Sequence, residues 1–167
     1  MSRFLAIDFE TGDQRPDSAC SVGLVMVENG VIVHEEVQLI RPPRQHIMFT
    51  HIHGLTWQHV AGAPTFGELW PKISNHFEGI DFLAAHNAPF DRGVLTACCN
   101  AHGIAMPSPP FVCTVALARQ TWKMYPTNLP TVCRNLGIEL NHHEALSDAR
   151  ACAQIVMRAH AAKSPAP

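Results

Sequence analysis

The sequence predicts an α/β fold: a mixed central sheet of about five strands, an antiparallel hairpin at one edge, and helices on both faces. Three observations carry this expectation. Apolar and β-branched runs of strand length crowd the first 40 residues, and Asn29-Gly30, a strong hairpin signal, joins two of them. Two more short apolar runs, near residues 82 and 111, are each followed by a stretch with helix signals. The chain then closes on a long Ala-rich segment.

Arg3–Phe9 reads as a buried strand, apolar up to an acid pair. A polar Gly/Asp/Pro connection over 11–19 leads to strands at Ser21–Val27 and Val31–Ile40. Arg41-Pro42-Pro43 ends the third strand, and the His-rich region to Gly62 is expected to hold short helical turns. Phe66, Leu69, Trp70, Ile73 and Phe77 have helical spacing, with Pro71 a kink or an early break. Phe82–Ala85 is a short buried strand. Pro89 opens a helix that Gly103 ends near His102. Phe111–Thr114 supplies the fifth strand, and a short helix follows to Trp122. Asn128–Leu136 and Glu144–Ala162 are the last helices.

A chain of 167 residues is read as one domain over 1–163, with a frayed tail at 164–167. A hydrophobic content of 47% is enough for a core that needs no metal to form. No stretch approaches the ~20 apolar residues of a membrane span, and the start lacks the pattern of a signal peptide. The six cysteines show no zinc spacing and mostly lie in apolar segments, so they are expected to be reduced core residues of a cytoplasmic protein. The net charge of −2 argues against a protein that coats duplex nucleic acid. It leaves room for one that grips a strand end, with Arg41, Arg44, Arg92, Arg119 and Lys123 as scattered basic residues.

The chemistry lies in the acids. Asp8 and Glu10 are two residues apart in a strand, so their side chains share a face. Asp91 closes the run Ala85-His86-Asn87-Ala88-Pro89-Phe90-Asp91, and Asp148 closes His143-Glu144-Ala145-Leu146-Ser147-Asp148. Each acid alone is ambiguous, since a helix start favours Asp91 and a polar helix face suits Asp148. Together, four carboxylates and a histidine are the parts of a two-metal phosphodiesterase. Carboxylates without cysteine suit two Mg²⁺ or Mn²⁺ rather than zinc. His143 is the candidate base, because an imidazole can take a proton at neutral pH. His142 stands next to it, and spacing favours His143.

These three segments, in this order, resemble the motifs of the DEDDh 3′→5′ exonucleases of the ribonuclease H-like superfamily. This family includes the proofreading subunit of bacterial polymerase III, ribonuclease T, oligoribonuclease and exonuclease X. Asp8-Phe9-Glu10-Thr11 is similar to the first motif, 85–91 to the second and 143–148 to the third. The sister group carries tyrosine four residues before the last Asp, where this chain has Glu144. The resemblance covers about residues 3–160. The run Cys113-Thr114 with Ala118-Arg119 resembles exonuclease X more than ribonuclease T.

The resemblance implies a ribonuclease H-like fold and release of nucleoside 5′-monophosphates from 3′ ends, DNA favoured over RNA. It implies metal ligands at Asp8, Glu10, Asp91 and Asp148. Asp8 would bridge both ions, Glu10 and Asp148 would support the nucleophile side, and Asp91 would hold the second ion through water. His143 would be the general base. The implied substrate contacts are Phe9 and Thr11, with Glu10 meeting the 3′-hydroxyl. Leu55, in Ile52-His53-Gly54-Leu55-Thr56, would be an apolar wedge against the terminal bases, with His53 beside it. Asn87 and Phe90 would border the substrate. Phe90 by itself reads as core, and His86 and Asn87 as hydrogen-bonded braces. Gly12-Asp13-Gln14 departs from the family's Thr-Gly-Leu continuation. Repair or replication proteins are the implied partners, and short-RNA cleavage or a non-catalytic binding module are the rival readings.

Overall fold

The computed structural model describes residues 2–163; the tail expected to fray lies outside them. β1 (Arg3–Thr11), β2 (Ala19–Glu28) and β3 (Val31–Leu39) are followed by two short helices, α1 (Thr50–His53) and α2 (Trp57–Val60). Then come α3 (Phe66–Ile73), β4 (Phe82–Ala85), α4 (Ala88–Ala101), β5 (Phe111–Cys113), α5 (Thr114–Trp122), α6 (Leu129–Leu136) and α7 (Ala145–Lys163). The strands form one sheet in the order β3-β2-β1-β4-β5. β1 is antiparallel to β2, and β2 to β3, whereas β4 and β5 run parallel to β1. The mixed five-stranded sheet is the one expected.

The hairpin turn forms because Asn29 and Gly30 both take positive φ, 54° and 78°. That twist matches the flanking strands. Pro71 cannot donate a hydrogen bond inside α3, and the helix stops two residues later, continuing as a 3₁₀ turn over Ser74–Phe77. β1 runs two residues past Phe9, because pairing with β2 continues through Glu10↔Ser21 and, after a bulge, Thr11↔Ala19. The acid pair therefore lies inside the strand, held by its ladder.

Alternation along β1 sorts its side chains between two cores. Leu5, Ile7 and Phe9 pack with Phe66, Leu69, Ile73, Val94 and Leu95 under α3 and α4. Phe4 and Ala6 pack on the opposite face with Ala149, Cys152, Ala153 and Val156 of α7. Asp8 and Glu10 continue this second register, so they face the start of α7. The six cysteines are free; all are buried except half-buried Cys113. Burial pushes the thiols of Cys20 and Cys98 up to about 12, so they act as core residues.

Candidate active site

α7 reaches the sheet through one glycine. A Cβ on Gly23 would stand 2.2 Å from the carbonyl oxygen of Ala145. Gly23 pairs with Asp8 across the β1–β2 ladder. The missing side chain lets the first turn of α7 settle on β2 beside Asp8, which carries Asp148 to the acid pair. A glycine inside a predicted strand marks such a close approach, and that was the available signal for this residue.

One ligand oxygen each from Asp8, Glu10 and Asp148 lies within 4.8 Å of the others. Asp91 comes from the first turn of α4, which rises off β4 next to β1. It is 1% exposed, and its Oδ1 accepts the backbone N–H of Phe9 at 2.9 Å. Asp91 thus stands beside the trio, tied to the strand that carries two of its members. Asp148 Oδ2 accepts from His142 Nδ1 at 2.8 Å and from the backbone N–H of His143 at 3.2 Å. Its other oxygen, Oδ1, is buried with no hydrogen-bond partner.

All four carboxyls are pushed above their ordinary range, with burial the largest cause in each. Asp8 is raised well above it, next by the charges of Asp91, Asp148 and Glu10. Glu10 rises to about 8, with Asp148 and Asp91 adding to burial. Asp91 rises to about 7 despite its hydrogen bond from Phe9. Asp148 rises as well, against the opposing pull of His142. Buried like charges and an unpartnered carboxylate oxygen are a site that lacks positive charge. An all-oxygen set of this kind fits a hard divalent cation.

A cleft of about 290 Å³ opens on one side of the acids, lined by Thr11, Phe49, Ile52, Phe90, His142 and His143 among others. A second hollow, about 510 Å³, lies against Asp8 and Asp148 on the other side and includes His86, Asn87 and Arg119. Phe90 is 46% exposed and lines the first cleft, so its reading as a core residue is corrected. Phe9 borders the cleft but is 3% exposed and belongs to the core beneath α3 and α4, because odd positions of β1 face that way.

The histidines divide by their hydrogen bonds. His53 Nδ1 accepts the N–H of Leu55 at 3.1 Å, and Nε2 lies 3.1 Å from the carbonyl of Thr11. Both ring nitrogens are engaged, so His53 clips the end of α1 and the turn to Leu55 onto the end of β1, while its ring lines the cleft. His86 is held likewise, Nε2 donating to the carbonyl of Thr127 at 2.9 Å and Nδ1 lying 2.8 Å from Thr114 Oγ1. Asn87, expected as a second brace, makes no side-chain hydrogen bond to the described residues; it takes a left-handed φ of 61° before α4 and stays exposed. His143, also at positive φ, is exposed, and its ring stacks on His142 at 3.8 Å. Burial and the neighbouring His142 lower its pKa, so its ring is neutral and able to accept a proton at physiological pH.

Leu55 is half-buried and lines an adjoining hollow with Glu10 and Val37, while Ile52, 42% exposed, borders both that hollow and the cleft. Phe49 was not singled out from sequence, because nothing in its spacing sets it apart; Ile52 entered only as the first residue of the Leu55 segment, and His142 only as the alternative to His143. At 12–14, where an apolar contact would be usual, Arg44 instead clamps Asp13 at 2.6 Å and Asp17 at 2.5 Å.

An exonuclease family model matches residues 5–156. This chain belongs to that family. It is 32% identical over 159 residues to a DNA polymerase III PolC-type protein of Thermotoga petrophila, covering 93% of this chain but 12% of that protein. It is 33% identical over 134 residues to exodeoxyribonuclease 10 of Escherichia coli K12, covering 76% of this chain and 55% of the relative. The chain therefore spans little more than a tenth of the PolC-type relatives it matches. Among solved structures, exonuclease X in complex with 5′-overhanging duplex DNA superposes with a TM-score of 0.77 at 25% identity, covering 99% of this chain and 95% of the other. The nuclease domain of 3′hExo, a DEDDh member bound to rAMP, shares the fold with a TM-score of 0.83 at 19% identity, covering 97% of this chain and 93% of that domain. No helix among the described residues is long and apolar enough to cross a membrane.

Proposed function

We propose that this chain is a single exonuclease domain that removes nucleoside 5′-monophosphates from the 3′ ends of DNA, single-stranded ends above all, using two Mg²⁺ or Mn²⁺ ions. The observation that carries the reading is the meeting of Asp8, Glu10 and Asp148, one ligand oxygen of each within 4.8 Å of the others, with Asp91 beside them. Asp8, Glu10 and Asp148 would hold one ion, and Asp8 with Asp91 the second. Bound there, such ions acidify water and neutralise the charge that builds on the phosphate. The protein's own groups do the rest. Hydrogen bonds from His142 and the His143 backbone fix Asp148, and the Phe9 N–H fixes Asp91. His143, neutral at working pH, takes the proton of the attacking water. Glu10 meets the terminal 3′-hydroxyl. Ile52, Leu55 and Phe90 offer apolar surface to the terminal bases without reading their edges.

DNA as substrate is supported by the 33% identity to exodeoxyribonuclease 10 and by the likeness to exonuclease X with DNA. Matched end-labelled single-stranded DNA, duplex DNA and RNA, each with magnesium, manganese or chelator, test the proposal. Shortening of single-stranded DNA from its 3′ end with magnesium is expected. Faster loss of RNA would move the substrate to short RNA, and no metal-dependent turnover would leave a binding module.

A further inference from the structure

Away from the acids, the sheet edge carries a second set of metal-ligating side chains. His34 and Glu36 are two residues apart on β3 and share a face; Glu35, between them, points the other way and pairs with Arg150 of α7. The face they share carries the 3₁₀ turn over 74–77, whose His76 comes down onto them. His76 Nε2 lies 2.9 Å from Glu36 Oε1, and His34 Nε2 lies 3.8 Å from the same oxygen. The two imidazoles are nearly parallel, with centres 4.7 Å apart. One ligand atom from each of the three residues lies within 4.8 Å of the others. By register, His34 sits opposite Met26, itself opposite Leu5, so the set is two strands over from β1 and three positions below Asp8.

We infer that His34, Glu36 and His76 form a site for a zinc-class divalent ion, separate from the carboxylate cluster. Four features point there. Glu36 Oε1 is buried yet has no hydrogen bond, although His76 Nε2 is close. The ring axis along which a proton or an ion must lie therefore passes beside the oxygen, as it would if both atoms faced a shared third centre. Around a tetrahedral ion with bonds of about 2.0–2.2 Å, ligand atoms stand roughly 3.3 Å apart. The observed 2.9 and 3.8 Å bracket that spacing. Two imidazoles and one carboxylate suit zinc, copper or nickel rather than magnesium, which favours oxygen. Lastly, Glu36 Oε2 accepts from Gln38 Nε2 at 2.9 Å, which orients the carboxylate, and half-exposed His34 leaves the fourth position to water. The ion would pin the 74–77 turn to the edge strand.

The test uses the whole chain in excess Mg²⁺, which occupies the carboxylate cluster, and titrates Zn²⁺ by calorimetry and Co²⁺ by visible absorption. One equivalent is expected, with a cobalt band of low-symmetry coordination that zinc abolishes. His76→Gln and Glu36→Gln should each weaken zinc binding by roughly 10–100-fold or more. Asp148→Asn, which removes the acid shared by the Asp8–Glu10–Asp148 cluster and the neighbouring His142–His143–Asp148 group, should leave the equivalent in place. Circular dichroism confirms that each variant is folded, and the two substitutions lie on different elements, so one folding failure leaves the other to decide. Unchanged zinc affinity in a folded His76→Gln or Glu36→Gln chain, or loss of the equivalent in Asp148→Asn, overturns the inference and leaves a His76–Glu36 ion pair.

Discussion

Asp91→Asn separates the electrostatics of the site from its packing. The amide keeps the oxygen that accepts the Phe9 N–H, and it is nearly the same size, but it removes a charge from a residue that is 1% exposed. The carboxyl of Asp91 rises from its ordinary 3.8 to about 7, mainly through burial. A group whose pKa is higher in the folded than in the unfolded state binds its proton more tightly when folded. Its contribution is full below pH ~4 and is lost as pH climbs towards 7. At about 1.4 kcal/mol per pH unit, the loss has a ceiling of about 4 kcal/mol, and coupling to neighbouring acids lowers it. The amide has no such dependence. Whatever burying its NH₂ costs is the same at every pH.

The expected outcome is a difference of differences. In chelator, Asp91→Asn should be no more stable than the native chain at pH 4.5, and more stable at pH 8. A change of about 3 kcal/mol between the two conditions would move the melting midpoint by roughly 6–12 °C in a domain of this size. Histidine protonation affects both proteins alike and cancels. Magnesium should narrow the gap at pH 8, because the folded native chain gains by mass action from the second ion, the one that needs Asp91, and the variant does not. Thermal unfolding at both pH values, with chelator or magnesium, measures all four terms. A gap between variant and native chain that is the same at pH 4.5 and pH 8 would refute the electrostatic account of the cluster.

The remaining outcomes concern the residues around the acids. His143→Ala should cut kcat by roughly 10²–10⁴ with little change in metal binding, and His142→Ala should cut it less; single-turnover rates compare them, and exchanged behaviours would move the base to His142. Gly23→Ala should destabilise the chain by several kcal/mol and lower activity even where it folds, since its Cβ meets the Ala145 carbonyl at 2.2 Å; a melt together with magnesium titration shows whether α7 and Asp148 have shifted. Chelation alone should leave the far-ultraviolet circular dichroism of a folded protein, because the core forms without metal. A 3′-phosphate should block cleavage by crowding Glu10 with like charge, and Ile52→Ala should weaken terminal-nucleotide binding at least as much as Leu55→Ala; equal cleavage of 3′-hydroxyl and 3′-phosphate ends contradicts the first.

The strands and long helices were legible because each has a local signal. Asn29-Gly30 fixes a two-residue turn, the spacing of Phe66, Leu69 and Ile73 gives α3 its buried stripe, and Pro71 marks the end of that helix within two residues. The four acids were legible because their motifs occur in order. Long-range geometry was not. Nothing near His53 in the sequence reveals that both its ring nitrogens are taken, one by Leu55 and one by a carbonyl 42 residues away. Phe90 looks like core in sequence because it is apolar, yet it sits in the first turn of α4 on the side turned to the cleft.

The acids of this site are assembled by parity and by one missing side chain. Phe4 and Ala6 must face α7 to complete the second core, so a period of two commits Asp8 and Glu10 to the same face. A one-residue slip of β1 would bury both carboxylates under α3 and α4 and expose Leu5 and Ile7 to the wrong layer. The hydrophobic pattern that stabilises the sheet therefore enforces the register that gathers the charges. Gly23 then sets how closely α7 approaches, and so how close Asp148 comes to Asp8. The core holds the carboxylates together against their repulsion, and that repulsion is what a bound cation relieves.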